Sequence, residues 1–253
     1  MAETQEMTPD PFKLFLEVQL ALPRNGPGSR RATHEAFALL PSLPPKPAIL
    51  DLGCGQAPEA FDLLDVCDGH ITAVDLFEPF LDKASARAEK EGVGEDHLAF
   101  ERGDIGELEY EDESCDLIWS EGAIYLLGFA EGLRAWHRFV KPGGFVVVSE
   151  LSWLTETPGP VARAFWDEAY PTMGTVGSNS DAARDAGYDV IATTILPRED
   201  WEVDYYVPMR RKLEEMRRQY GPLPAFDDME KEIAVFDMND GDYAYVFYVL
   251  KRR

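Results

Sequence analysis

Two acidic residues and two glycines mark the ends of neighbouring apolar segments, and these residue types suit a nucleoside site. Asp51 is followed by Gly53 and Gly55 in the stretch AILDLGCGQAPEAFDLL. Glycines let the backbone turn sharply against a ligand, and a carboxylate just before the turn favours a cation over a polyanion. Asp75 ends the next apolar segment about 20 residues later, a spacing at which a carboxylate meets the two hydroxyls of a ribose. The pattern predicts a site for a positively charged nucleoside.

The same turn has a second interpretation, the pyrophosphate site of a dinucleotide-dependent dehydrogenase. That site uses a third glycine and free N–H groups aimed at the phosphates. This chain has Pro58 there, and proline removes a donor and adds a ring where close approach is needed. A dehydrogenase is therefore the weaker functional alternative. The structural alternative is an ordinary strand-to-helix turn that binds no ligand.

The motif LDLGCG, Leu50 to Gly55, resembles the first motif of class I S-adenosylmethionine-dependent methyltransferases, with Ala57 where many members carry a further glycine. The stretches PRNGPGSRRAT, SEGAIYLLGF, KPGG and SELSW also resemble a bacterial small-molecule methyltransferase subgroup. The resemblance is clearest over residues 48–151. It implies methyl transfer from S-adenosylmethionine to an O, N, S or C nucleophile of a small-molecule acceptor, with S-adenosylhomocysteine as product.

The resemblance also implies how the cofactor is held. The candidate cofactor-binding residues are Asp51, Gly53, Gly55, Asp75, Leu76, Asp104, Ile105 and Arg24. In the resembled family, an acid at the position of Asp104 receives the adenine amino group and the next side chain covers the ring; an Asx turn is the structural alternative. The guanidinium of Arg24 suits a cofactor or substrate carboxylate, and a structural ion pair is the other interpretation.

The stretch after the strand DLIWS is expected to face the transferred methyl group, because ligands of open α/β sheets bind beyond the carboxyl ends of the strands. We predict Glu121 and Tyr125 as the catalytic pair. Glu121 is suited to contact the methionine part, orient a basic substrate, act as a general base or cap the loop. Trp153 and Trp166 are predicted to wall the acceptor pocket, and ordinary helix packing is the alternative for both.

The elements that position these residues follow from hydrophobic periodicity and from prolines and glycines. Helices are predicted over 11–22, 29–40, 78–91 and 131–140, and strands over 49–52, 70–75, 98–102, 116–120, 145–149, 188–196 and 243–250, with Lys141–Gly144 as a turn. The resemblance implies a Rossmann-like α/β fold: a seven-stranded, mostly parallel sheet with helices on both faces, an antiparallel last strand and helical lids. Residues 1–45 are predicted to form an N-terminal helical cover. Residues 46–253 are predicted to form the methyltransferase domain, with a helical insertion at about 198–241.

The composition of the chain limits its size of core, its partners and its location. The chain has 253 residues, 45% of them hydrophobic, and a net charge of −23 at pH 7, so it can bury one α/β core and would repel nucleic acid and anionic membranes. It lacks a bilayer-length apolar run and a secretory signal pattern, so we expect a soluble, cytoplasmic protein. Three cysteines and four histidines show no metal-ligand spacing, and no metal is expected. The oligomeric state is open, and a non-catalytic nucleoside sensor or interaction module is the alternative to an enzyme.

Overall fold

The computed structural model describes residues 10–253 and is built around a seven-stranded sheet. The strands are β1 (Ala48–Leu52), β2 (His70–Asp75), β3 (Leu98–Arg102), β4 (Cys115–Glu121), β5 (Val140–Trp153), β6 (Tyr188–Ile195) and β7 (Tyr243–Arg252). Their order across the sheet is β3-β2-β1-β4-β5-β7-β6. Strands β1 to β5 pair in parallel, and β7 runs antiparallel to both β5 and β6. The predicted fold class is confirmed.

Helices pack on both faces of the sheet. They are α1 (Pro11–Ala21), α2 (Arg30–Ala38), α3 (Pro58–Leu64), α4 (Glu78–Glu91), α5 (Phe129–Trp136), α6 (Pro160–Ala169), α7 (Val176–Asp185), α8 (Arg198–Trp201), α9 (Val207–Tyr220) and α10 (Pro224–Asp237). A 3₁₀ turn, Ile124–Leu126, follows β4, and a π-helical turn, Glu202–Tyr206, joins α8 to α9. Within residues 10–253, no helix combines the length and the apolar character needed to cross a bilayer.

Local sequence signals set several helix ends. The side chain of Asp10 accepts a hydrogen bond from the N–H of Phe12 at 2.9 Å, and Pro11 occupies the first turn of α1. A short polar cap followed by proline is a common helix start. Gly92 ends α4 with a φ of +71°, the left-handed conformation that favours glycine. Both ends agree with the predicted boundaries.

Apart from the edge strands β3 and β6, which are partly exposed, the sheet is buried on both faces, as expected for parallel strands. One face packs against α3 and α4 through Phe61 and Leu81. The opposite face packs against α5 through Leu133 and Trp136. This core fixes the positions of the strand ends, where the candidate site residues lie.

The segment before β1 meets the segment between β6 and β7. Helix α1 contacts α9 and α10, and a third apolar cluster includes Val18, Trp201 and Phe236. Lys212 Nζ lies 2.9 Å from Glu17 Oε1 across this junction. Residues 1–9 of the predicted N-terminal cover lie outside the described residues.

The fifth strand begins earlier than predicted. Cys115 pairs with Val140 and Leu117 pairs with Phe145, so residues 141–144 form a bulge within β5 instead of a separate turn before it. Gly143 has a φ of +76°, which permits the bulge. Because Val140 already belongs to the sheet, α5 ends at 136 and not at 140.

Candidate functional site

The glycine-rich turn connects the carboxyl end of β1 to α3. Gly53 and Gly55 have φ values of +74° and +53°, and Ala57 adopts the same left-handed region with a φ of +55°. The N–H of Gly53 donates to the carbonyl of Val74 at 2.9 Å, which ties the turn to β2. A Cβ at position 53 would lie 2.4 Å from the Cβ of Ala123. Glycine is therefore required there by both conformation and space.

Asp75 lies at the carboxyl end of β2 beside this turn. Its Oδ2 accepts a hydrogen bond from the N–H of Gly55 at 2.8 Å, and its Oδ1 accepts one from the N–H of Phe77 at 2.9 Å. Burial raises the pKa of Asp75, while these N–H groups favour the charged form. Each carboxylate oxygen can accept a further bond, so Asp75 retains capacity for ligand hydroxyls. The side chain of Leu76, next in the chain, is exposed.

Asp104 and Ile105 follow β3 at the same edge of the sheet. Asp104 Oδ1 accepts a hydrogen bond from the N–H of Gly106 at 2.8 Å, which is the Asx turn that the sequence left as an alternative. Asp104 is exposed and Ile105 is buried. The carbonyl of Ile105 accepts a hydrogen bond from Trp136 Nε1 at 2.9 Å. These contacts fix the loop after β3, in which the side chain of Asp104 is exposed.

Four buried carboxyl groups and one guanidinium lie close together next to the glycine turn. We call Asp51, Glu59, Asp62 and Glu121 the acidic cluster. Nη1 of Arg24 lies 3.0 Å from Glu59 Oε1 and 4.0 Å from Glu121 Oε2, and Nη2 of Arg24 hydrogen-bonds to Asp62. The loop between α1 and α2 thus carries its arginine into a site formed by β1, β4 and α3.

The acidic cluster has more negative groups than Arg24 balances. Burial and neighbouring carboxylates raise the pKa of Asp51 and of Glu121 well above the usual value, although Arg24 opposes the shift. Within the described part of the chain, Asp51 Oδ2 and Glu121 Oε2 are buried without a hydrogen-bond partner. Buried charges are normally paired, so these groups either hold protons or face a further cation.

The predicted catalytic residues occupy different surroundings. Glu121 Oε1 accepts hydrogen bonds from Thr33 Oγ1 at 2.8 Å and from Trp119 Nε1 at 2.9 Å, so its carboxyl group belongs to the acidic cluster. Tyr125 lies on the 3₁₀ turn, is 45% exposed and packs edge-on against Tyr170 with ring centroids 5.9 Å apart. The structure therefore does not join Glu121 and Tyr125 in one contact.

A cavity of about 290 Å³ opens beside Gly122, just beyond β4. Its described lining residues come from α1, the following loop, the sheet ends and the helices between β5 and β7: Phe15, Gln19, Asn25, Gly26, Pro27, Gly122, Tyr125, Leu151, Trp166, Ala169, Tyr170, Trp201, Tyr205, Glu232 and Tyr245. We call it the aromatic cavity. Trp166 and Tyr125 are in this lining. Trp153 is not among these residues and packs against Tyr243, with ring centroids 6.2 Å apart.

A second cleft lies away from this region. It has a volume of about 510 Å³ and is lined by residues of 37–47 and 66–68, which precede β1 and β2. Ligands of open α/β sheets bind at the opposite, carboxyl ends of the strands. We therefore assign the candidate site to the aromatic cavity and the acidic cluster.

Sequence reasoning missed three acidic residues of the candidate site, Glu59, Asp62 and Glu232. Glu59 and Asp62 are spaced as i and i+3, which places them on one side of α3, and this spacing was an available signal. Glu232 lies in α10 among other charged residues, and nothing in its local sequence distinguishes it. No set of three or more His, Cys, Asp or Glu side chains arranged to hold a metal is found within residues 10–253.

Comparison with known proteins identifies the domain type. Residues 49–144 match the family model described as a methyltransferase domain. Phosphoethanolamine N-methyltransferase 1 of Arabidopsis thaliana is 26% identical over 214 residues, which are 83% of this chain and 39% of that protein. The chain thus spans well under half the length of this curated relative.

Solved structures share the whole fold. A methyltransferase of Geobacter sulfurreducens in complex with S-adenosyl-L-homocysteine superposes with a TM-score of 0.80 at 20% identity, covering 95% of this chain and 98% of that one. The [4+2]-cyclase SpnF gives a TM-score of 0.72 at 18% identity, covering 88% of this chain and 80% of that one. At these identities the likeness concerns the fold, which hosts more than one chemistry.

Proposed function

We propose that the chain, in which residues 49–144 match a methyltransferase domain, binds S-adenosylmethionine and transfers the methyl group to a small-molecule acceptor. The acidic cluster beside the glycine turn carries this proposal. S-adenosylmethionine has a positive sulfonium and a positive α-amino group, and the one guanidinium of the cluster pairs with three of its four carboxyl groups, Glu59, Asp62 and Glu121. A second cation would satisfy the unpartnered oxygens of Asp51 and Glu121.

The strand ends supply the other expected contacts. We propose that Asp75 accepts hydrogen bonds from the ribose hydroxyls and that Leu76 contacts the nucleoside from its exposed position. Asp104 has a free Oδ2 for the adenine amino group, and Ile105 lies beside it. Gly53 allows the ligand to approach the backbone at the turn. Parallel strands bring these residues to one edge of the sheet.

Arg24 takes a structural role in this proposal, which is one of the two interpretations that the sequence leaves open. Its guanidinium is buried and paired with Glu59 and Asp62, so binding a cofactor carboxylate would require it to exchange partners. We propose that Arg24 mainly holds α3 and the loop before α2 in place. Cofactor binding by Arg24 remains the alternative.

The cofactor supplies an electrophilic methyl group whose leaving group is already good. The chain therefore has to position the acceptor, exclude water and, for a protonated acceptor, take up a proton. Tyr125 reaches the aromatic cavity and is suited to orient the acceptor. Glu121 lies between the turn and Thr33, and we propose that it favours the cationic end of the cofactor.

In this proposal, two segments of the chain together cover the cavity. Residues from α1 and the loop after it line one side, and Trp201, Tyr205 and Glu232 line another. We propose that residues 1–45 and the insertion at about 198–241 act together as this cover over a methyltransferase domain of residues 46–253. Trp166 belongs to the acceptor wall, whereas Trp153 supports it by packing against Tyr243.

The net charge of the chain limits the partners that it can bind. A net charge of −23 disfavours nucleic acid and anionic membrane surfaces as partners. We therefore propose a small-molecule acceptor. We also propose a cytoplasmic location, because the cysteines Cys54, Cys67 and Cys115 are free thiols, as is usual in a reducing compartment.

Calorimetric titration with S-adenosylmethionine, S-adenosylhomocysteine and NAD tests the cofactor assignment. We expect the first two to bind and NAD not to bind. Asp75→Ala is expected to weaken binding of both nucleosides by at least about tenfold, the equivalent of about one good hydrogen-bonded contact. Unchanged affinity in a folded Asp75→Ala protein would contradict the ribose assignment.

Turnover tests the catalytic assignment. We expect Tyr125→Phe and Glu121→Gln to slow methyl transfer to a cognate acceptor, measured as release of S-adenosylhomocysteine. Normal turnover in both variants would show that neither residue is catalytic.

A second function is a nucleoside-binding protein that does not transfer methyl groups. The fold of the [4+2]-cyclase SpnF supports keeping it, because that protein is named for another reaction. Cofactor binding with no methylated product from any acceptor class would favour this second function. NAD binding alone would favour a dehydrogenase instead.

A further inference from the structure

Aromatic side chains make up much of the wall of the aromatic cavity. Phe15, Tyr125, Trp166, Tyr170, Trp201, Tyr205 and Tyr245 line it. Trp201 and Tyr245 meet edge to face with ring centroids 5.2 Å apart. The faces of aromatic rings attract cations, most strongly where water is excluded. This wall therefore suits an organic cation.

Glu232 is the one charged residue among the described lining residues. It is half-buried, and its Oε1 accepts a hydrogen bond from Tyr206 at 2.6 Å. Burial raises the pKa of Glu232, and the hydrogen bond from Tyr206 opposes this shift. No lysine or arginine among the described lining residues offers an opposite charge to its carboxylate. A cation in the cavity would supply that charge.

The same wall is poorly suited to other acceptors. No lysine or arginine is found among its described lining residues, so the charge of a phosphate or carboxylate would be left unpaired. A purely apolar acceptor would leave the carboxylate of Glu232 without an opposite charge, with the hydroxyl of Tyr206 as its hydrogen-bond donor. The volume of about 290 Å³ lies at the small end of ligand cavities, which favours a compact molecule.

We infer that the methyl acceptor is a compact amine, held as its ammonium between the aromatic walls and Glu232. This inference rests on the proposed methyl transfer. The ammonium gives one proton to the Glu232 carboxylate, and the freed nitrogen lone pair forms the new N–C bond. The C–S bond breaks at the same time, and its electron pair remains on sulfur. The product is the methylated ammonium.

A binding experiment tests recognition without turnover. Choline and 3,3-dimethylbutan-1-ol have the same shape, and only choline is charged. Calorimetry with the protein saturated with S-adenosylhomocysteine is expected to show at least about tenfold tighter binding of choline, since a desolvated cation–π contact and an ion pair together exceed about 1.4 kcal/mol. Equal affinities would overturn the inference.

Variants test whether the preference for choline over its neutral analogue depends on Glu232. Glu232→Gln is expected to reduce the preference for choline by about tenfold or more, while Glu232→Asp keeps it in part. Glu168→Gln is the matched control, because it removes the same charge from an exposed position on the neighbouring α6. Melting temperatures confirm that each protein is folded. An unaltered preference in Glu232→Gln, or an equal loss in Glu168→Gln, would overturn the inference.

An acceptor screen separates this inference from the proposed function. Methylation of primary, secondary or tertiary amines, with alcohols, thiols and carboxylates left unmodified, would support both. Methylation confined to alcohols, thiols, carboxylates or alkenes would overturn the amine inference and keep the methyltransferase. If S-adenosylmethionine does not bind, the proposed function fails, and the choline comparison in the absence of nucleoside still decides whether the cavity prefers cations.

Discussion

Replacing Glu150 by glutamine should remove part of the pH dependence of stability. Glu150 lies in β5, is 1% exposed, and within residues 10–253 neither of its carboxyl oxygens has a hydrogen-bond partner of normal geometry. The hydroxyl of Tyr170 approaches it, and Tyr125, Tyr245 and Tyr248 lie within its electrostatic reach. Burial without a cation to pair with raises the pKa of Glu150 to about 8.

The magnitude follows from the two protonation states. A carboxyl pKa of about 8 in the folded protein, against 4.5 in the unfolded chain, corresponds to a pH-dependent stabilisation of the folded state by at most about 5 kcal/mol. The folded state binds the proton more tightly, so this stabilisation is complete below pH 4.5. It is lost progressively as the pH rises and is gone above about 8. Relaxation of the structure and entry of water lower this stabilisation. We therefore expect the ionisation of Glu150 to change the free energy of unfolding by about 2 to 5 kcal/mol.

Urea unfolding followed by tryptophan fluorescence measures the effect. At about pH 5 Glu150→Gln and the original protein should have similar free energies of unfolding, and at about pH 9 the variant should be the more stable. Glu156→Gln, in the exposed loop after β5, removes an equal charge and corrects for the overall acidity. If Glu150→Gln and Glu156→Gln show the same pH dependence, the reasoning about Glu150 is refuted.

Three further results are expected. Gly53→Ala should destabilise the protein by about 1 to 3 kcal/mol more than Gly92→Ala in urea unfolding, because both positions are left-handed but only Gly53 faces a neighbouring Cβ; equal losses would contradict this. Arg24→Met should cost about 3 to 5 kcal/mol near pH 7 and less near pH 5, where the carboxyl groups that it leaves take up protons. Calorimetry in buffers of different ionisation enthalpy should show that S-adenosylmethionine displaces more protons than S-adenosylhomocysteine. Only the former carries a sulfonium charge, which the proposed binding mode places near Asp51, and burial raises the pKa of Asp51. Equal proton release would place the sulfonium away from the acidic cluster.

Much of the fold could be predicted from local sequence signals. Apolar runs marked β1 and β2, an Asp-Pro start marked α1, and Gly92 marked the end of α4. The bulge at residues 141–144 could not be predicted in this way, because it depends on how Cys115 and Val140 pair across the sheet. Strand pairing is a tertiary property that periodicity does not contain.

The candidate site was less predictable than the sheet. The turn and Asp75 follow a motif, whereas the partners of Arg24 come from α3 and β4 and meet only in the folded chain. Glu232 is separated from Tyr125 by more than a hundred residues in the sequence, and only the docking of α10 beside the cavity brings both into its lining. Composition gave the overall sign of the charge, but the positions of these buried acids required the structure.

Charge balance connects the two proposed binding regions. The acidic cluster would offset a cationic cofactor from the strand side, and Glu232 would offset a cationic acceptor from the cover side. Two cations brought close together repel each other strongly when water is excluded, so loss of one proton from the acceptor both relieves this repulsion and frees the attacking lone pair. Transfer then moves the positive charge from sulfur to nitrogen, while Glu232 holds the proton that the acceptor has lost. A carboxylate on each side of the transferred group is therefore the arrangement that an amine acceptor requires, and a neutral acceptor would need only the strand-side group.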